Sequence, residues 1–391
     1  MLTTVFNDKK LSMLGFGTMR LPLLDNGQID EAQVSKMVQY AQANGVNYYD
    51  TAYPYLDGES ERVIGRVLKQ FSREDYYLAT KYPGHQILPS YHPEDIFEDQ
   101  LQKCGVDYFD FYLLHNIYEN SIQTYMDPRW NIVDYFIQQK KDGRIRHLGF
   151  SCHGGLENLE QFLNQYGDSM EFCQIQLNYL DWSLQDAKSK YLLLSEREIP
   201  IWVMEPVRGG KLAIVPVEVE KKLKALRPDE SIASWAFRWL FTLPDVKMIL
   251  SGMSDMEQVI DNVKTFSTER TLNEQEIELL YDLAALLKDS LPCTACRYCC
   301  ADCSKELDIP VLLNFFNQLK FSPTVDVRMR IESLPAEKSV DACIACGKCN
   351  EICPQKIDIV SAFKELRQIL SKMPTWIDIC REREAHMTQR K

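Results

Sequence analysis

Eight short, unbroken apolar runs recur along the first 252 residues, separated by stretches of mostly helical periodicity. They are MLGFGTM (13–19), VNYYDTA (46–52), YYLATKY (76–82), YFDFYLLH (108–115), IRHLGFSC (145–152), FCQIQLNY (172–179), IPIWVME (199–205) and VKMILSG (246–252). Each is rich in β-branched or aromatic residues and continuous rather than alternating, as strands buried on both faces are. Between them, DEAQVSKMVQYAQANG (30–45) puts Val34, Met37, Val38 and Ala41 on one helical face, with Gly45 as its stop. PEDIFEDQLQKCG (93–105) ends on Gly105 as a helix with a C-terminal cap would. Eight strands alternating with helices count out a parallel (β/α)₈ barrel. An open doubly wound sheet would want a glycine-rich phosphate turn near the start. Gly15-Phe16-Gly17 lacks the third glycine and the helix directly after it.

Chemistry in such a barrel sits at the C-terminal ends of the strands. The second run ends in Asp50, with Tyr55 just beyond it in DTAYPY; the third ends in Lys81 and the fourth in His115. Singly these read as a turn residue, a surface aromatic, a solvated charge and a satisfied polar residue. Together they place an acid, a phenol, an amine and an imidazole around one opening. That set suits protonation of a carbonyl oxygen as hydride reaches its carbon. A phenol titrates near 10 and is a sluggish acid at neutral pH, so Lys81 is expected to lower its pKa. Asp50 would keep Lys81 charged, and His115 would orient the substrate oxygen. Tyr53, Tyr82, His85, Tyr118 and Trp182 are candidates for an aromatic mouth, and Arg20 either attracts an anionic carbonyl compound or pairs with a neighbouring loop.

The order D50-T-A-x-x-Y55, K81, H115, with LGFGTMRLP, FSCHG, CQIQLNY and ILSGMSDMEQVIDN, resembles an aldo/keto reductase over residues 10–268. The resemblance implies a (β/α)₈ barrel that binds NADP(H) without a Rossmann domain and reduces aldehydes or ketones. It implies Tyr55 as general acid, Lys81 and Asp50 as its tuning pair, and His115 as the substrate-orienting group. It also implies Gly17, Thr18 and Met19 near the nicotinamide, Ser151 and Gln174 on its carboxamide, and Asn262 toward the adenine. This chain departs from the family at Cys152, where asparagine is common, and at Met204, where an aromatic usually stacks on the nicotinamide. The segment Met253-Ser254-Asp255, with Gln258, lacks the arginine or lysine that NADPH-preferring members often carry. A 2′-phosphate needs cationic partners, so NAD(H) stays open. The loop with Arg208, Gly209 and Lys211 is read either as a cation for the pyrophosphate or as a solvated basic loop.

Thirteen cysteines are distributed unevenly, three before residue 293 and ten from there on. Cys343, Cys346, Cys349 and Cys353, followed by Pro354, spell the C-x₂-C-x₂-C-x₃-C-P run of bacterial ferredoxins. Cys293, Cys296, Cys299 and Cys303 repeat the spacing, which predicts two 4Fe–4S clusters with crossed ligation. One would take Cys293, Cys296, Cys299 and Cys353, the other Cys343, Cys346, Cys349 and Cys303. Structural zinc is the rival, disfavoured by the third cysteine at the same step and the trailing proline. Cys300 reads either as a substitute ligand or as a buried small residue, and Cys380 as structural. PVLLNFFNQLK (310–320) reads as an apolar helix between the two groups, which suits a mainly helical ferredoxin-type domain. The expected organisation is a barrel over 1–290 and a cluster domain over 291–391.

Composition narrows the classes. A 45% hydrophobic content with 44 Lys+Arg against 56 Asp+Glu, net −12, argues for a large core and against general phosphate-backbone binding. No apolar run approaches a bilayer span, and the start lacks a secretory apolar stretch, so a cytoplasmic setting is expected. The reading that results is a nicotinamide-dependent carbonyl reductase fused to an electron-carrying module, with a small carbonyl substrate and a redox partner protein. The alternative is a redox sensor or electron-transfer protein that uses the barrel as a nicotinamide-binding scaffold.

Overall fold

The computed structural model describes residues 1–84, 92–288, 291, 293, 297–321, 323–353 and 355–389. The chain divides into two units. One holds Met1–Tyr179 and Ala187–Ile277, the other Leu180–Asp186 and Glu278–Lys391.

In the first unit, ten strands form in chain order. They are β1 (Thr3–Phe6), β2 (Lys9–Ser12), β3 (Leu14–Gly17), β4 (Tyr48–Asp50), β5 (Tyr77–Tyr82), β6 (Phe109–Ile117), β7 (Ile145–Cys152), β8 (Cys173–Gln176), β9 (Ile201–Met204) and β10 (Val246–Gly252). The last eight close a barrel in the order β10-β3-β4-β5-β6-β7-β8-β9, each pairing parallel to its neighbours. All eight predicted runs are these strands. Their unbroken apolar character follows from position, since barrel strands touch side chains inside and helices outside.

The first two strands were not expected. They pair antiparallel across Asn7-Asp8, with Asn7 at φ 53°, a left-handed turn that asparagine tolerates. The hairpin carries Phe6 and Leu11 into the barrel interior beside Phe111, Phe172, Trp202 and Met248. Phe6 meets Trp202 edge-on at 5.0 Å between ring centroids. This apolar packing fills the barrel interior below the strand ends that carry the polar residues.

The helix Glu31–Ala43 starts at Asp30, whose carboxylate accepts from the Gln33 N–H, and buries Val34, Met37, Val38 and Ala41 as its period predicts. The helix Pro93–Cys104 ends on Gly105 at φ 64°. Its neighbour, Glu59–Leu68, approaches so closely at Gly65 that a Cβ there would lie 2.4 Å from the Cys104 carbonyl oxygen. That approach lets both helices reach β5, through Glu61 to Thr80 and Gln100 to the Lys81 carbonyl.

The second unit is helical among its described residues. Its core comes chiefly from Ile309–Phe321 and Ile359–Ser371, which bury Leu312, Leu313, Phe315, Phe316, Phe363 and Leu366. The expected apolar helix at 310–320 is the first of these. The helix Glu274–Lys288 begins in the first unit and ends in the second. No helix among the described residues is long and apolar enough to cross a membrane.

Candidate active site

The strand ends bring the four chemically suggestive residues together. Asp50 closes β4, and the chain turns through Tyr55–Gly58 with Leu56, Asp57 and Gly58 all at positive φ. That tight turn returns the Tyr55 ring over the barrel mouth. Lys81 stands one residue before the end of β5 and is fully buried, with Asp50 3% exposed. The Lys81 ammonium donates to Asp50 Oδ2 at 2.6 Å, to the Thr51 carbonyl at 2.7 Å and to the Tyr55 hydroxyl at 3.3 Å. His115, on β6, sets its ring perpendicular to that of Tyr55 with centroids 6.1 Å apart. Tyr125 donates to the His115 carbonyl at 2.7 Å, fixing the backbone that carries the imidazole.

The electrostatics differ from the sequence expectation in one respect. Burial raises the Tyr55 pKa above that of a free phenol; Lys81 pulls it back and Asp50 pushes it up further, so the net shift is upward. The sequence shows the neighbouring cation but not the desolvation, and desolvation wins. Burial also works against the Lys81 ammonium, yet Asp50 and the phenol together hold its pKa above the ordinary lysine value. The site therefore holds a protonated phenol beside a charged ammonium. This is a proton donor in its donating form, with a cation poised where negative charge develops on donation.

Beside this group, Ser151 and Gln174 are paired across β7 and β8 and are 0% and 2% exposed. Ser151 Oγ and Gln174 Oε1 make no hydrogen bond among the described residues. Buried polar atoms are costly when unpaired, so two side by side mark a place for a polar ligand group. A groove of about 300 Å³ runs past Arg20, Glu205, Gly209, Gly210, Ser254, Gln258 and Asn262. Asn262 donates to Ser251 Oγ at 3.0 Å, and Ser254 to the Arg20 carbonyl at 2.9 Å. Gly17 closes β3 and is buried, while Met19 is 47% exposed and Met204 ends β9 half-buried.

Several candidates do not line the groove. Thr18 is fully buried, its hydroxyl 2.6 Å from Ser60 Oγ and 2.9 Å from the Asp50 carbonyl, so it braces β3 against β4. Arg208 is 3% exposed and Lys211 is exposed, and neither lines the groove. Consecutive tight turns across Glu205–Leu212 turn the loop so that Gly209 and Gly210 form the wall. The cation among the lining residues is Arg20, 3.4 Å from the Glu205 carboxylate. Tyr53 is buried with its ring 3.9 Å from Lys103 Nζ, and Tyr82 is buried against Tyr125 and Phe136. Tyr118 is 1% exposed. Packing thus claims these aromatics rather than an open mouth. Trp182 belongs to the second unit, and His85 lies outside the described residues.

The second unit contains a small cavity, about 20 Å³, lined by Cys303, Cys343, Cys346 and Cys349, with Leu307, Ile309 and Phe363. The last cysteine of the first group thus lines the same cavity as the first three of the second, although no three of the described His, Cys, Asp or Glu side chains converge closely enough to hold one metal ion. The Ala345 N–H points at Cys343 Sγ at 3.4 Å. Cys293 and Cys353 are half-buried, Cys299 is 7% exposed, and Cys296 and Pro354 lie outside the described residues. Cys300 is half-buried against the core, and burial pushes the Cys380 thiol up to about 11.

A closed parallel barrel with a Tyr–Lys–Asp–His group at its mouth is the architecture of a carbonyl-reducing oxidoreductase. The family model "Aldo/keto reductase family" matches residues 13–285, and a "4Fe-4S dicluster domain" model matches 289–357. The chain belongs to the aldo/keto reductase family. It is similar to the NADH-specific methylglyoxal reductase of Escherichia coli, 26% identical over 72% of this chain and 97% of the relative. An uncharacterized oxidoreductase YqkF of Bacillus subtilis is 25% identical over 70% of this chain and 93% of its own. Among solved structures, the holo form of aldo-keto reductase AKR11C1 from Bacillus halodurans superposes with a TM-score of 0.58. It is 25% identical and covers 72% of this chain and 96% of its own. A Klebsiella pneumoniae aldo-keto reductase in complex with NADPH shares the fold, with a TM-score of 0.60 at 19% identity over 73% of this chain and 96% of its own. The chain is thus an NAD(P)H-dependent, carbonyl-reducing oxidoreductase with a 4Fe–4S module fused C-terminal to its barrel sequence.

Proposed function

We propose that this protein reduces a small carbonyl compound of the 2-oxoaldehyde class, such as methylglyoxal, and that Tyr55 is the proton donor. The observation that carries the reading is the buried contact of Lys81 with the Tyr55 hydroxyl at 3.3 Å, backed by Asp50. Relatives named as methylglyoxal reductases support the substrate class. The hydride for the carbonyl carbon would come from a reduced nicotinamide held in the groove. Tyr55 gives its proton to the carbonyl oxygen, and Lys81 stabilises the phenolate left behind. Asp50 keeps the ammonium charged and in place. His115 directs the carbonyl oxygen toward the phenol, and solvent returns the proton to Tyr55.

The unpaired Ser151 and Gln174 atoms fit the donor and acceptor pattern of a carboxamide, so these residues would hold that end of the nicotinamide. Gly17, Met19 and Met204 would flank its ring. Gly209, Ser254, Gln258 and Asn262 would line the rest of the dinucleotide, with Arg20 beside its phosphates.

The second unit would hold two 4Fe–4S clusters, one on Cys343, Cys346, Cys349 and Cys303 and one on Cys293, Cys296, Cys299 and Cys353. Clusters on these thiols would exchange single electrons with a redox partner protein. Thiols kept free for iron suit a reducing cytoplasm.

The test is nucleotide oxidation with small aldehydes and ketones, alongside iron and sulfide analysis of protein prepared without oxygen. The reading expects turnover of 2-oxoaldehydes and about eight irons per chain. Nucleotide binding without turnover, or zinc in place of iron and sulfide, would contradict it.

A further inference from the structure

A second buried polar group lies behind the strand that carries Lys81, away from the barrel mouth. Glu61, in the first turn of the helix Glu59–Leu68, is fully buried. Its Oε1 accepts from Thr80 Oγ1 at 2.6 Å and from Gln100 Nε2 at 2.7 Å. Gln100, on the helix Pro93–Cys104, also donates to the Lys81 carbonyl at 3.1 Å. Its own Oε1 accepts from the Tyr112 hydroxyl at 2.6 Å. Lys103 Nζ stands 3.7 Å from Glu61 Oε2 and 2.6 Å from Asp99.

A buried carboxylate is expensive, and helix-on-barrel packing alone has no use for one. Glu61 Oε1 is held by groups that converge on two adjacent residues of β5, Thr80 and Lys81, while Oε2 faces only the Lys103 ammonium. The network ties two helices and β6 to the Lys81 peptide. The ammonium of Lys81 must reach Asp50 and Tyr55 together, so its backbone position sets both contacts. Resting on the carbonyl-reduction reading, we propose that Glu61 and Gln100 are positioning residues. They hold the Lys81 peptide so that its ammonium stays on Asp50 and the Tyr55 hydroxyl at once.

Gln100→Leu and Glu61→Leu test this with methylglyoxal as substrate and separate binding titrations of NADH and NADPH. Misplacing a reacting group by about 1 Å costs up to about 100-fold, so kcat falls by about 10- to 100-fold. The carbonyl KM and the nucleotide Kd stay within about threefold. The alkaline limb of the kcat profile, where Lys81 and Tyr55 face Asp50, moves. Glu61→Gln keeps an acceptor for Thr80 and Gln100 and retains most of the activity. Thr80→Val removes one hydroxyl from the network and answers the same question if the leucine variants do not fold. A lower Tm with unchanged kcat and pH profile would overturn the proposal. An inactive wild type would count against the carbonyl reading instead, and a crystal structure of Gln100→Leu separates the two. A Lys81–Tyr55 contact still at 3.3 Å refutes positioning, and a longer one supports it.

Discussion

Lys81→Met removes the ammonium and keeps most of the side-chain volume. In the wild type that ammonium is fully buried, 3.3 Å from the Tyr55 hydroxyl and 2.6 Å from Asp50. A full phenolate at that distance would be attracted by about 5 kcal/mol at an effective dielectric near 20. Only part of that charge exists in the transition state, so about 2–3 kcal/mol is lost, or about 30- to 150-fold in kcat. Stability should fall less than a stranded charge implies. Burial already pushes the Asp50 carboxyl up, and without its cation it takes a proton. The assay is steady-state NAD(P)H oxidation with methylglyoxal, alongside thermal melts. The double variant Lys81→Met, Asp50→Asn should regain stability but not kcat. A kcat within threefold of wild type for Lys81→Met would refute the electrostatic role.

Gly65→Ala places a methyl 2.4 Å from the Cys104 carbonyl, so it should cost about 1–3 kcal/mol and lower Tm, read by thermal melts. Arg227 holds the Glu276 carboxylate below its usual range; burial pushes Glu230 up, but Arg238 and Arg227 outweigh it. Both folded values lie below the unfolded ones, so this stabilisation is present above the usual glutamate range and lost as pH falls through the lower folded values. Arg227→Met should therefore lower stability near neutrality by about 1 kcal/mol and flatten that loss, measured by melts across acidic pH. Cys303→Ala removes one thiol from the four-cysteine cavity and should lower iron by up to about half in elemental analysis.

The barrel strands were legible because burial on both faces leaves an unbroken apolar signature. The β1–β2 hairpin was not, because TTVF and KKLS are short and carry polar residues between single buried positions. Its one available signal was Asn7-Asp8, a two-residue turn. At the site, strand-end spacing placed Asp50, Tyr55, Lys81 and His115 around one opening, since a parallel barrel presents its strand ends together. Spacing could not say which way a side chain turns, so it did not show that the Thr18 hydroxyl meets Ser60 and the Asp50 carbonyl or that Arg208 is buried outside the groove lining. Nor could it weigh desolvation against charge, which is why the direction of the Tyr55 shift came out opposite. Glu61 and Gln100 left no local signature at all, because their partnership joins two helices and two strands brought together only by the fold.

Carbonyl reduction at this site depends most directly on the phenolic proton of Tyr55. Tyr55→Phe deletes one oxygen and leaves Lys81, Asp50 and the groove intact. Carbonyl reduction by this variant should fall at least about 100-fold while NADH and NADPH bind as before. Full turnover with a phenylalanine at that position would mean that the proton comes from elsewhere.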